Sequence, residues 1–241
     1  MFKNTFTLKG QKKSEVYIMS LLKPEFVDNP ENRCPVVLIL DTSASMEGDP
    51  IDSLNQGLAE FKFDVEQDEL AALRVELCII GFGREVNVLQ PFITVDDFTP
   101  PVLVTAGKTP LGSAIDRGLD ALEERKKIYK ANGVQYYRPW VFLVTDGAPT
   151  DGEKWKDAAA RVSDLEANKR ISFFTIAVEG ADMEILERVA PISRPPIQLQ
   201  DLKFKELFRW LSSSVRRVST NRVGGDMIEL PSVSGWAATG T

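Results

Sequence analysis

The sequence predicts an α/β fold: a doubly wound, mostly parallel central sheet with one antiparallel edge strand and helices on both faces. Three observations predict it. From residue 35 to 218, short β-branched runs alternate with amphipathic helical segments across turns rich in Gly, Pro, Ser and Asp. Residues 36–40 are continuously apolar, as a central strand covered on both faces requires. Two further runs, residues 74–82 and 86–92, are separated only by Gly83, Arg84 and Glu85, which is hairpin spacing and puts one antiparallel strand at a sheet edge.

The elements then follow in order. Residues 1–33 form a polar, irregular leader whose one apolar run, 16–22, reads as an edge strand or a short helix. The strand at 36–40 ends abruptly at Asp41. Asp49 and Pro50 supply an N-cap and a first-turn proline, and Ile51, Leu54, Leu58, Phe61 and Val65 recur at helical spacing after them. After the hairpin comes a proline-punctuated loop, 96–108, and then a long helix marked by Leu111, Ile115, Leu119 and Leu122 and running toward Tyr129. The charge run Glu123, Glu124, Arg125, Lys126 and Lys127 reads as its solvated face.

Residues 140–145 are the next buried strand. Trp155, Ala159, Val162 and Leu165 mark a helix, 171–178 a strand, and Met183, Leu186 and Val189 a shorter helix. Residues 197–199 give a short last strand. Phe204, Leu207, Phe208, Leu211, Val215 and Val218 then make an amphipathic final helix whose aromatic stripe belongs in the core. The domain reading is therefore a leader at 1–33, one domain at 34–218 and a partly ordered tail at 219–241, with an apolar island at 227–230 and a lone Trp236.

Composition narrows the chemistry. The chain of 241 residues is long enough to bury about 70% of its unfolded surface in one core. It contains no histidine, which excludes Ser-His-Asp catalysis and His-liganded metal. Cys34 and Cys78 are too few for a disulfide scaffold or a four-thiolate site and read as buried, reduced thiols. A formal net charge of -6 disfavours a broad nucleic-acid or anionic-membrane footprint, while leaving room for a local basic patch. No apolar stretch approaches the ~18 to 20 residues of a membrane span. Residues 1–22 lack a signal-peptide pattern, which predicts a cytoplasmic address.

In an open parallel sheet, ligands collect at the carboxyl ends of the strands. Three loops supply hard oxygens there: Asp41-Thr42-Ser43-Ala44-Ser45, Thr145-Asp146-Gly147, and Gly107-Lys108-Thr109-Pro110-Leu111-Gly112. Two carboxylates with several neutral hydroxyls suit Mg²⁺, with Mn²⁺ or Ca²⁺ as alternatives. With so few protein anions, such an ion keeps a position electrophilic enough to accept a carboxylate from another molecule.

On these residues the chain resembles the von Willebrand factor A (VWA) family. That family's metal-ion-dependent adhesion site combines Asp-x-Ser-x-Ser with a separate Thr and a separate Asp. By position, Asp41, Ser43 and Ser45 fill the first motif, Thr109 the second and Asp146 the third. The resemblance implies that the serines ligate directly, and that Asp41, Thr109 and Asp146 do so directly or through water. Ala44 stands where Gly is frequent, at a position free to vary.

Arg33-Cys34-Pro35, Tyr136-Tyr137-Arg138-Pro139-Trp140, Thr145-Asp146-Gly147-Ala148-Pro149-Thr150-Asp151 and residues 207–214 resemble the TerY-type branch of bacterial VWA proteins. The adhesion-site match implies a non-enzymatic module binding a partner's Asp or Glu, whereas the TerY-type likeness implies an intracellular VWA domain and names no activity. It also implies a setting in a tellurite-resistance-like stress response beside a protein kinase or phosphatase. Partner binding coupled to the last helix, 204–218, is a further expectation from the family.

Two alternatives stay open at this level. A Mg²⁺-dependent phosphohydrolase or phosphotransferase would use Asp41 as nucleophile, although the acid and base Asp of such enzymes is replaced by Ser43. A phosphorylation target would use Ser212, Ser213, Ser214, Ser219 or Thr220 beside Arg216, Arg217 and Arg222. Asp151 and Glu47 read as solvated rim residues ahead of a supporting role beside the centre, and Lys108 as a surface lysine or a contact for an acidic partner.

Overall fold

The computed structural model describes residues 24–224, 230–233 and 235–239. The apolar run at 16–22 lies outside them, as does most of the island at 227–230. Helix α1 (Pro24–Asp28) precedes β1 (Cys34–Asp41). A 3-10 turn (Ala44–Met46), α2 (Asp49–Glu66), α3 (Glu69–Arg74), β2 (Val75–Phe82) and β3 (Val86–Thr94) follow. After a long loop come α4 (Leu111–Ala131), β4 (Trp140–Thr145), α5 (Lys154–Ala167), β5 (Ser172–Ala177) and α6 (Met183–Val189). The chain continues into β6 (Ile197–Leu199), α7 (Phe204–Ser219) and β7 (Ala237–Thr239).

The sheet order is β3-β2-β1-β4-β5-β6-β7. The central strands are parallel and β3 is the predicted antiparallel edge. Alternation along β1 explains the two layers: Val36, Leu38 and Leu40 face one core with α2 and α7, while Val37 and Ile39 face the other with α4, α5 and α6. A strand buried on both faces has no polar side to show, which is why its sequence is an unbroken apolar run. Among the described residues, no helix is long and apolar enough to cross a membrane.

Away from the strand-end loops, the elements depart from the sequence reading in five places. Gly48, at φ 87°, is the N-cap of α2, so Asp49 and Pro50 are already its first helical residues. The six-residue helix α3 takes Arg74 out of the strand. The end of the leader is helical, and Arg33 is buried, bonding Glu76 at 3.1 Å.

Nor is the charge run a solvated face throughout. Arg125 and Lys126 are buried, the first bonding Glu76 at 2.6 Å and the second Glu123 at 2.7 Å. Glu76 gathers Arg33, Arg125 and the Tyr129 hydroxyl, and this is what makes the burial of those cations tolerable. Finally, the tail adds a second antiparallel strand, β7, at the other sheet edge. Trp236 is buried against Trp210 of α7, ring centroids 5.8 Å apart.

Both cysteines are buried and free, and burial pushes each thiol up to about 12. The aromatic stripe of α7 is core, as expected. So are Ser212, Ser214 and Ser219, all fully buried. The folded domain offers no kinase those three hydroxyls, and Thr220 is the exposed member of the set.

Candidate metal centre

The winding reverses between β1 and β4. The crossover from β1 to β2 runs through α2 on one face, and the crossover from β3 to β4 runs through α4 on the other. The loops leaving the two strands therefore part and leave a crevice between them. Asp41 is the last residue of β1, and Asp146 follows the last residue of β4.

Asp41 is fully buried and both of its carboxylate oxygens are engaged. Oδ1 accepts the Ser43 backbone N–H at 2.8 Å and Oδ2 accepts the Thr145 hydroxyl at 2.5 Å. The Ser43 and Ser45 hydroxyls lie 2.9 Å apart, and Ser45 donates to Asp146 Oδ1 at 2.9 Å. Four of the five predicted residues thus share one hydrogen-bonded cluster. The fifth, Thr109, is buried beside Gly147, where a Cβ would stand only 3.0 Å from its hydroxyl oxygen. Glycine at 147 lets Thr109 come this close to the Asp146 loop.

The three loops are fastened to one another. Thr150 and Thr109 exchange two bonds: the Thr109 N–H donates to the Thr150 hydroxyl at 3.0 Å, and the Thr150 N–H to the Thr109 carbonyl at 2.8 Å. On the other side, Ala44 donates to the Gly107 carbonyl at 3.1 Å and Ala106 to the Thr42 carbonyl at 2.8 Å. Asp151 is not a solvated rim residue. Its Oδ2 accepts the N–H and hydroxyl of Ser113 at 2.8 and 2.9 Å, satisfying an open donor in the first turn of α4. Glu47 and Lys108 are exposed, as read from the sequence.

Thr145 and Thr150 are the positioning residues that sequence reasoning passed over. Their signal was position alone: one ends a strand buried on both faces, the other sits four residues past Asp146.

Burial pushes the Asp41 carboxyl up to about 6, against the hydrogen bonds of Ser43 and Thr145, and repulsion from Asp146 adds to the rise. Burial also raises Asp146. Among the described residues no Lys or Arg offsets either charge. Nor do three or more Asp, Glu or Cys gather into a cluster that could hold a metal by themselves, so the two carboxylates would need neutral oxygen ligands beside them, which the neighbouring hydroxyls can supply. Two carboxylates and three hydroxyls, short of positive charge and all oxygen, fit a hard divalent cation.

Comparison with known proteins supports the fold. Similar solved structures include proximal thread matrix protein 1 from the mussel byssus, 17% identical, with 77% of this chain and 48% of that chain covered at a TM-score of 0.53. The pilus adhesin SpaC from Lactobacillus rhamnosus GG is 11% identical, with 78% and 30% covered at 0.60. The minor pilin PilB from Streptococcus sanguinis is 12% identical, with 78% and 62% covered at 0.55. The chain spans less than two thirds of each, and at these identities the likeness is one of fold. No curated protein sequence matches the chain. Residues 36–209, from β1 into α7 and including all three loops of the centre, match the von Willebrand factor type A domain, and the chain belongs to that family.

Proposed function

We propose that this chain is a protein-interaction module that holds a divalent cation on Asp41, Ser43, Ser45, Thr109 and Asp146 and through it takes an Asp or Glu side chain of a partner. Mg²⁺ is the first choice, with Mn²⁺ or Ca²⁺ as alternatives. One observation carries the proposal: two carboxylates meet three hydroxyls at the switch point with no cationic side chain to offset them. A bound ion would supply positive charge and a position open to a further carboxylate.

The chain's own residues do the rest. Thr145 and the Ser43 N–H fix the Asp41 carboxylate, the serine hydroxyls tie it to Asp146, and Thr150 with Gly147 sets Thr109 against that loop. The engagement of both Asp41 oxygens and its complete burial favour a ligand over a nucleophile, which sets the phosphohydrolase alternative behind this one.

Residues 34–218 carry the function in this proposal, with leader and tail as buttresses. The partner we place first is an acidic segment of a kinase or phosphatase in a cytoplasmic, TerY-type system. Support for that setting is the sequence resemblance at residues 33–35, 136–140 and 145–151.

Calorimetry with Mg²⁺ and with Mn²⁺, for wild type and Asp146→Ala, each with and without a Glu-containing peptide, tests the proposal. Binding that is strengthened by the peptide and lost in the variant is expected. A folded wild type that binds neither ion under either condition would overturn it.

A further inference from the structure

At the opposite pole of the molecule, where β4 and β5 begin, a cavity of about 320 Å³ opens between the end of α4, residues 136–139 and the turn after α5. Five cationic side chains line it, Lys126, Lys130, Arg138, Lys169 and Arg170, and among the described residues no carboxylate does. This concentration stands in a chain whose formal net charge is -6.

The carboxylates nearest these cations are already shared. Glu123 bonds Lys126 at 2.7 Å and Arg170 at 3.3 Å, and Glu166 bonds Arg138 at 3.0 Å as well as Arg194. The Lys130 and Lys169 ammonium groups have no ion pair among the described residues. The Glu123 carboxyl reflects the surplus. Burial would raise it, but the hydrogen bond and charge of Lys126, with Arg170 and Lys130, hold it below its ordinary value.

The walls are fixed. The Arg138 guanidinium donates to the Ile171 carbonyl at 2.5 Å and to the Glu166 carbonyl at 3.3 Å, and Lys126 is buried. The Tyr136 ring packs on Tyr129 at 5.2 Å, while its hydroxyl makes no hydrogen bond among the described residues. Cations near the last turns of α4 and α5 also answer the helix dipoles. That account does not bring in Arg138, which belongs to neither helix, nor make five cations converge on one cavity.

We propose that this cavity is a second ligand site, for a doubly charged phosphate group, with Lys130, Lys169 and Arg170 as charged donors and the Tyr136 hydroxyl as a neutral one. A phosphate brings the charge and the three acceptor oxygens that such a donor set matches. It lies ~20 Å from the metal centre, since the six residues of β4 span the distance at ~3.3 Å each. The same chemistry can come on a free nucleotide or on a phosphorylated side chain.

The test is calorimetry on the full chain in low-salt buffer free of divalent cations, which keeps the Asp41 and Asp146 centre silent. The probes are inorganic phosphate, ATP, and a phosphoserine peptide beside its unphosphorylated twin. Lys130→Ala/Lys169→Ala removes the two free charges from exposed positions, and circular dichroism checks its fold.

The expected result is binding of at least one phosphate probe, with Kd raised tenfold or more in the double variant and about threefold in Tyr136→Phe. ATP as the tightest probe assigns a free nucleotide, and the phosphopeptide as the tightest assigns a phosphorylated segment. Equal affinity in the double variant, equal binding of the unphosphorylated twin, or no binding of any phosphate probe would each overturn the proposal.

Discussion

Asp41→Asn should stabilise the metal-free protein, and by an amount that depends on pH. An ordinary carboxyl titrates near 3.8, and the buried Asp41 near 6. Below pH 3.8 folded and unfolded chains are both protonated there, and nothing is lost. Between 3.8 and about 6 the folded chain keeps the proton that the unfolded chain releases, so stability falls as pH rises. Above about 6 the loss is complete. The interval of about two pH units, at ~1.4 kcal/mol each, amounts to ~3 kcal/mol.

Asparagine fills the same space, and its carbonyl still accepts the Ser43 N–H, but its amide group meets the Thr145 hydroxyl as a donor where the carboxylate was an acceptor. Taking the loss of that bond as ~1 kcal/mol leaves a gain of ~2 kcal/mol at pH 7.5. For a chain of this size the gain is a rise of roughly 4–8 °C in Tm. Thermal denaturation of both proteins in EDTA, from pH 4 to 7.5, reads it out. The gap should open as pH rises. Added Mg²⁺ should then lift the wild type, by about 2.7 kcal/mol at a hundred times Kd, and leave the variant where it was. A gap that is the same at pH 4 and pH 7.5, or a variant less stable than wild type at pH 7.5 without divalent ions, would refute the argument.

Other perturbations separate positioning from stability. Thr145→Val removes the hydroxyl on Asp41 Oδ2 and should cost about 1–3 kcal/mol in urea titrations, because a buried acceptor is left without its donor. Gly147→Ala puts a methyl against the Thr109 hydroxyl and should weaken Mn²⁺ binding roughly 10-fold by calorimetry, with Tm in EDTA little changed. Glu76→Gln leaves Arg33 buried without its counter-charge and Arg125 with only the more exposed carboxylate of Glu25, and a loss of about 3–5 kcal/mol in denaturant is expected. Trp236→Ala should lower stability by about 3–5 kcal/mol and shift the fluorescence of Trp210 to longer wavelength, as that ring gains water.

The parts of the fold that were legible are those whose signal is local. The unbroken apolar run of β1 reports burial on both faces, and the three residues between β2 and β3 report the hairpin edge. What escaped depends on partners distant in sequence. Nothing in the run Glu123 to Lys127 says that the carboxylate of Glu76, on a strand 49 residues from Arg125, waits inside for a guanidinium. Trp236 sits among small polar residues that promise little order. Its burial comes from Trp210, and from the free edge of β6 that β7 pairs. A single unpaired tryptophan in a polar tail is therefore a sign of docking as much as of disorder, since leaving so large an apolar surface in water is costly.

The candidate site follows the same division. Chemistry and fold class point to the three oxygen-rich loops, and the resemblance to the VWA family then implies Asp41, Ser43, Ser45, Thr109 and Asp146 as the candidate ligands. Thr145, Thr150 and Asp151 could not be named, because their work lies in bonds between loops whose spacing is set only after folding. Those bonds join the Asp146 loop to Asp41, to Thr109 and to the start of α4. Loss of Thr145 or Thr150 would leave every ligand atom in the chain and still spoil the centre, because a weak divalent site depends on ligands already held together before the ion arrives.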